Sequence, residues 1–120
     1  MILIVEDRDN LRELVVANLN DYNLKCIEAK NGVDAFEKYM DYKDNLSLII
    51  TDINMPYWSG YDLLDHIRLF ELTTDEKIPI IATSGDLNND KNHYLKRGFN
   101  GYLPKPSPID VILKEIYKHK

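Results

Sequence analysis

Apolar positions along the chain fall into two alternating patterns. Nearly continuous apolar runs at Ile2 to Val5, Leu46 to Ile50 and Ile78 to Ala82 read as strands buried on both faces, because a strand with one wet face would alternate strictly. Leu24 to Ala29 and Gly101 to Leu103 are weaker runs of the same kind. Between them the spacing becomes that of helices with one apolar stripe: Leu11, Leu14, Val15 and Leu19; Val33, Phe36 and Met40; Leu63, Leu64 and Ile67; Ile109, Ile112, Leu113 and Ile116. Asp9, Asn31, and Ser107 followed by Pro108 stand where N-cap and first-turn residues belong. Asn88 to Arg97 is a poorer helix, anchored by Tyr94 and Leu95. Five strands alternating with helices long enough to cross over predict an α/β fold, a doubly wound parallel sheet covered on both faces by right-handed connections. No repeat, linker or composition shift interrupts the pattern, so residues 1–120 are expected to form one domain.

Length and composition agree. A chain of 120 residues falls within the roughly 100–150 of a common domain. At 44% hydrophobic and 29% charged, with 5 Gly and 5 Pro, it is an ordinary globular sequence, which sets aside disordered and collagen-like classes. The lone cysteine, Cys26, allows neither an internal disulfide nor a cysteine-based zinc cluster. A reducing, cytoplasmic setting follows, with Cys26 expected in the core. Against 15 basic residues stand 20 acidic ones, a net charge of −5 that leaves no positive field for a nucleic-acid backbone. No apolar run approaches the ~18 residues of a membrane span, and the start at Met1 lacks the basic head of a signal peptide. Neither nucleic acid nor membrane is an expected direct partner.

The acidic surplus acquires meaning from its placement. The first strand leads into Glu6-Asp7, the third into Thr51-Asp52, the fourth into Thr83-Ser84 and the fifth into Pro104-Lys105-Pro106. Ligands of open parallel sheets bind beyond the carboxyl ends of the strands, so three carboxylates, a hydroxyl and an ammonium are delivered to one rim. Taken singly, an Asp at a strand-to-helix turn is ordinarily a cap or turn former. Taken together, carboxylates a few ångström apart repel and call for a cation. Mg²⁺ prefers oxygen ligands and is commonly held by one or two carboxylates with phosphate oxygens. Lys105 offers fixed positive charge to a transferring phosphoryl group, and Ser84 a neutral donor to its oxygen. Neither a Walker loop nor G-x-G-x-x-G is present, so a carboxylate nucleophile of the aspartyl-phosphate kind fits better than a nucleotide site.

These residues, in this order and spacing, resemble a response-regulator receiver domain of two-component signalling, of the chemotaxis-regulator type. The likeness covers the whole chain. It rests on Glu6-Asp7, on Asp52 within Thr-Asp-Ile-Asn-Met-Pro-Tyr-Trp-Ser-Gly, on Ser84 ending Pro-Ile-Ile-Ala-Thr-Ser, and on Gly-Tyr-Leu-Pro-Lys-Pro with Tyr102 and Lys105. The resemblance implies a flavodoxin-like three-layer sandwich with strand order 2-1-3-4-5. It implies that Asp52 accepts a phosphoryl group from a phosphohistidine on a histidine kinase or histidine phosphotransfer protein. Asp7, Asp52 and the main-chain carbonyl of Asn54 would ligate Mg²⁺, with Glu6 acting mostly through water. Ser84 would turn toward the phosphoryl oxygen, Tyr102 would move between exposed and inward rotamers, and a downstream protein would read the face made by the fourth helix, fifth strand and fifth helix. The Lys105-Pro106 peptide would be cis.

Departures from the family pattern are few. Glu6 replaces the more frequent Asp, and its longer arm still reaches. Gly85 follows the switch hydroxyl where Ala is common. Trp58 stands where relatives often carry Met, and reads as a surface aromatic packed on the loop or as a partner contact. Asn54 and Asp86, two residues beyond Asp52 and Ser84, occupy positions that tune loss of the phosphoryl group in the family. His66, His93 and His119 have no metal-ligand spacing and read as solvated or capping, and most of the 8 tyrosines, Tyr39 among them, read as surface packing. Two alternatives compete. A Mg²⁺-dependent aspartyl-phosphate phosphatase is disfavoured because Asn54 is an amide where such enzymes carry a general acid. A flavin binder is disfavoured by a rim of three acids. The receiver is expected either to stand alone or to belong to a hybrid kinase or multidomain regulator.

Overall fold

In a computed structural model describing residues 1–120, ten elements alternate along the chain: β1 (Ile2–Val5), α1 (Asp9–Asn20), β2 (Cys26–Ala29), α2 (Gly32–Tyr42), β3 (Leu48–Asp52), α3 (Gly60–Glu71), β4 (Ile80–Ser84), α4 (Lys91–Arg97), β5 (Gly101–Pro104) and α5 (Ile109–Tyr117). All strand pairs are parallel and the sheet order is β2-β1-β3-β4-β5, as expected. Neighbours in the strand sequence point to opposite faces, which splits the core in two. Leu3, Val5, Ile49, Ile80 and Ala82 pack with Leu63, Leu64 and Ile67 of α3 and Tyr94 of α4. Ile2, Ile4, Leu48, Ile50, Ile81 and Leu103 pack with Leu19 of α1 and Ile116 of α5. Double-sided burial explains why the apolar runs are unbroken. No helix is long and apolar enough to cross a membrane.

The boundaries differ from the hydropathy pattern in one direction: pairing in β3 and β4 starts two residues later and runs to the acidic or hydroxyl residue at the end. Backbone partners account for both. The Leu46 amide closes the turn leaving α2 by donating to Tyr42, and that of Ser47 donates to Met1. Ile78 donates its amide to the Glu71 carboxylate at 2.6 Å, and Pro79 has no N–H to give. β2 likewise begins at Cys26 because the Leu24 amide is taken by Leu19. At the opposite end of the sheet from the acidic rim, Arg68 ties the strand entries together. Its guanidinium donates to Glu71, to the Ile78 carbonyl and to Asn100 Oδ1, at 2.6 to 2.8 Å, and Asn100 Oδ1 also accepts the Ile80 amide.

Two of the expected caps are displaced. Asn31 caps α2, its side chain accepting the Asp34 amide at 2.8 Å. Asp9, by contrast, is the first helical residue of α1 and takes Arg12 instead; the N-cap is Arg8, which makes no side-chain cap. At α5 the cap position falls to Pro108, and Ser107 turns its hydroxyl back to the Pro104 carbonyl. Helix α4 is shorter than the pattern, because Asp90 caps it and Asn88 lies in a turn whose amide donates to Asp86. Tyr94 is its buried anchor, whereas Leu95 is 39% exposed. Tyr39 is buried in the core rather than on the surface, and Leu14 is exposed rather than buried. Cys26 is half-buried and packs against the second cluster, and burial pushes its thiol up to about 11.

Two measurements test this frame. At Gly60 an added Cβ would lie 2.6 Å from the Asp52 carbonyl oxygen and 3.0 Å from Ile53 Cα, so Gly60→Ala is expected to cost about 1–3 kcal/mol in urea unfolding. Arg97 of α4 grips Asp65 of α3 through both nitrogens at 2.7 and 2.8 Å, and this bond holds the Asp65 carboxyl below its usual range. A depressed acid stabilises the fold above its unfolded pKa and loses that contribution as pH falls through the folded value. Asp65→Asn is therefore expected to destabilise at pH 7 by less than about 1 kcal/mol, the pair being exposed, and to match wild type in acid.

Candidate functional site

The order β1-β3-β4-β5 places the ends of these strands side by side, and each end contributes to one rim. β1 runs into Glu6 and Asp7, β3 ends in Asp52, β4 in Ser84, and β5 leads to Lys105. Oxygen atoms of Glu6, Asp7 and Asp52 all lie within 4.8 Å of one another. Lys105 reaches from the sheet edge across the end of β4, its Nζ lying 2.5 Å from Glu6 Oε1 and 3.1 Å from Asp52 Oδ2. The Lys105-Pro106 peptide is cis. The expected residues are thus brought together, and Asn54 lines the same cavity of about 750 Å³ that opens between α1 and α5.

Glu6 and Asp52 are buried, 6% and 8% exposed, whereas Asp7 is exposed. Burial makes the charge of Asp52 costly; Lys105 opposes that cost and Glu6 adds to it, and the carboxyl ends above its usual value. Burial also acts on Glu6, but Lys105, Asp7 and the Arg8 amide outweigh it and hold Glu6 low. Loss of hydration and the adjacent Glu6 raise Asp7. One ammonium against three carboxylates leaves the site short of positive charge. That shortage, and an all-oxygen donor set, fit a hard dication such as Mg²⁺.

The residues expected to switch occupy defined positions. Ser84 is buried, and its Oγ accepts the Asp86 amide at 3.0 Å. Tyr102 is turned inward, its hydroxyl donating to the Ser84 carbonyl at 3.2 Å and its ring stacked on Tyr94 with centroids 4.6 Å apart. Trp58 is a packed loop aromatic: it stacks on His66 at 3.8 Å and leans on Phe36 at 5.8 Å, so close to α2 that a Cβ at Gly32 would lie 2.6 Å from its own. The other histidines are engaged as well, His93 with the Tyr61 hydroxyl and His119 with Glu115. Arg8, not among the residues expected from the sequence, also lines the cavity; no sequence signal marked it, because the adjacent Asp9 reads as the cap of the first helix.

The family model of the response regulator receiver domain matches residues 2–117, and the chain belongs to that family, the receivers of two-component phosphorelays. These are signalling domains rather than classical enzymes. The sensor histidine kinase RcsC of Escherichia coli is 34% identical over 113 residues, 93% of this chain but 11% of RcsC, so the chain spans about a tenth of that relative. The chemotaxis protein CheY1 of Helicobacter pylori is 30% identical over 116 residues, covering 96% of this chain and 92% of CheY1. Among solved structures, the Saccharomyces cerevisiae complex of the histidine phosphotransfer protein Ypd1 with the receiver domain of its response regulator Ssk1 contains a chain matching with a TM-score of 0.87 and 28% identity, over 98% of this chain and 86% of that one.

A raised carboxyl is a liability at neutral pH. Its destabilising effect is full above the folded pKa and fades as pH falls through that value and the carboxyl takes up its proton. Asp52→Asn is therefore expected to raise the unfolding free energy in metal-free buffer at pH 7, and by less in acid. Urea denaturation with EDTA reads this directly; a variant less stable than wild type at pH 7 would contradict it.

Proposed function

We propose that residues 1–120 act as one receiver unit whose Asp52 accepts a phosphoryl group from a phosphohistidine on a histidine kinase or histidine phosphotransfer protein, and that Mg²⁺ is its cofactor. The convergence of Glu6, Asp7 and Asp52 with Lys105 carries this reading. Asp52 Oδ attacks phosphorus as the P–N bond breaks, and the electron pair of that bond returns to the partner's imidazole. Lys105 Nζ, already 3.1 Å from Oδ2, sits where charge gathers on the phosphoryl oxygens. Asp7, Asp52 and the Asn54 carbonyl would hold Mg²⁺, with Glu6 acting through water. When bound, the ion neutralises charge on those oxygens. The Ypd1–Ssk1 pairing supports a histidine phosphotransfer partner.

The output follows from Ser84 and Tyr102. A phosphoryl oxygen on Asp52 would accept the Ser84 O–H, whose oxygen already accepts the Asp86 amide, and turning Ser84 toward it disturbs the carbonyl that anchors Tyr102. Tyr102 stacks on Tyr94 of α4, so a shift in its rotamer population reaches the face formed by α4, β5 and α5. That face would present the signal to a downstream protein.

Incubation with Mg²⁺ and acetyl phosphate is expected to give a singly phosphorylated protein by intact-mass spectrometry. Asp52→Asn, or wild type with EDTA, should stay unmodified. Equal labelling of wild type and Asp52→Asn would refute the assignment.

A further inference from the structure

Four arginines occur in the chain, and three are fastened. Arg12 donates to Asp9, Glu28 and the Glu6 carbonyl, Arg68 to Glu71, Ile78 and Asn100, and Arg97 to both oxygens of Asp65. The side chain of Arg8 makes neither a hydrogen bond nor an ion pair, and it lines the cavity shared by Asp52, Asn54, Asp86 and Lys105. Its backbone belongs to the site, the amide donating to Glu6 Oε2 at 3.2 Å. Arg8 also occupies the N-cap of α1, where Ser, Thr, Asp or Asn would stabilise the helix, yet it makes no cap. A local rule broken beside a functional rim points to a role in that rim.

Charge supplies the role. With a dication present, Glu6, Asp7 and Asp52 are balanced by Lys105 and the metal. Phosphorylation replaces the single charge of Asp52 by about two negative charges, leaving the filled site one positive charge short. Lys105 is already shared between Glu6 and Asp52. A guanidinium, planar and always charged, suits the remaining phosphoryl oxygens through paired N–H donors. Resting on the reading of Asp52 as phosphoacceptor, we propose that Arg8 is a second cationic clamp on the phosphoryl group, contacting its oxygens once it arrives on Asp52 and contributing to how tightly the site holds it.

Binding of beryllofluoride in the presence of Mg²⁺, followed by ¹⁹F NMR, tests this without turnover, alongside the rate of labelling by acetyl phosphate. Arg8→Gln is expected to weaken beryllofluoride binding about tenfold or more, the scale of a lost charge-assisted contact, with an unchanged thermal midpoint. Arg8→Lys should fall between the two. Lys25→Gln, an equal loss of charge at an exposed residue before β2 on the far side of the sheet, should match wild type. Wild-type affinity in Arg8→Gln overturns the clamp alone, as does an equal loss in Lys25→Gln, or a weakening in both Arg8 variants that tracks a lowered midpoint. Failure of wild type to bind beryllofluoride or accept phosphoryl overturns the phosphoacceptor reading, and the clamp with it.

Discussion

A single ammonium divided between two buried carboxylates organises the carboxyl edge of the sheet. Burying Glu6 and Asp52 on adjacent strands would be prohibitive for bare anions, and Lys105 makes it tolerable without making it comfortable: Glu6 is held ionised while Asp52 remains pushed toward its neutral form. The asymmetry has a geometric origin. Although β3 lies between β5 and β1, the Lys105 side chain reaches past Asp52 and lies nearer to Glu6, 2.5 against 3.1 Å. Of the two buried carboxylates Asp52 is consequently the less well served, and the one with more to gain from further positive charge.

The sheet exists, from this viewpoint, to bring distant segments to one place. Residues separated by 99 positions, Glu6 and Lys105, meet because parallel strands point their ends in a common direction. Each connection passes through a helix that buries one apolar stripe, so the two cores fix strand order, and strand order fixes which side chains share the rim.

The layer order and the rim were legible because both depend on coarse patterns. Unbroken apolar runs required burial on two faces, and acids directly after them could only emerge at the carboxyl edge. Boundaries were less legible, since hydropathy does not reveal where an amide is already spent: Ile78 looks like strand but serves Glu71. Tyr39 and Leu14 were misplaced for a related reason, because amphipathic spacing assigns faces within a helix but not the angle at which it meets the sheet. Asp9 shows a third limit, in which a good capping residue one position too late is recruited by Arg12. The strand order itself and the individual roles at the rim came through family likeness rather than from spacing.

The Arg68 cluster at the opposite edge gives the molecule unequal ends. There, one guanidinium bridges α3, the entrance to β4 and the entrance to β5, a three-way joint of short bonds. At the acidic edge the loops are held by bonds of another kind, with Lys105 reaching Glu6 and Asp52 and the Ser84 hydroxyl accepting the Asp86 amide. The two ends are therefore braced independently: charge added at the rim bears on Lys105, while the joint at the strand entrances shares no residue with it.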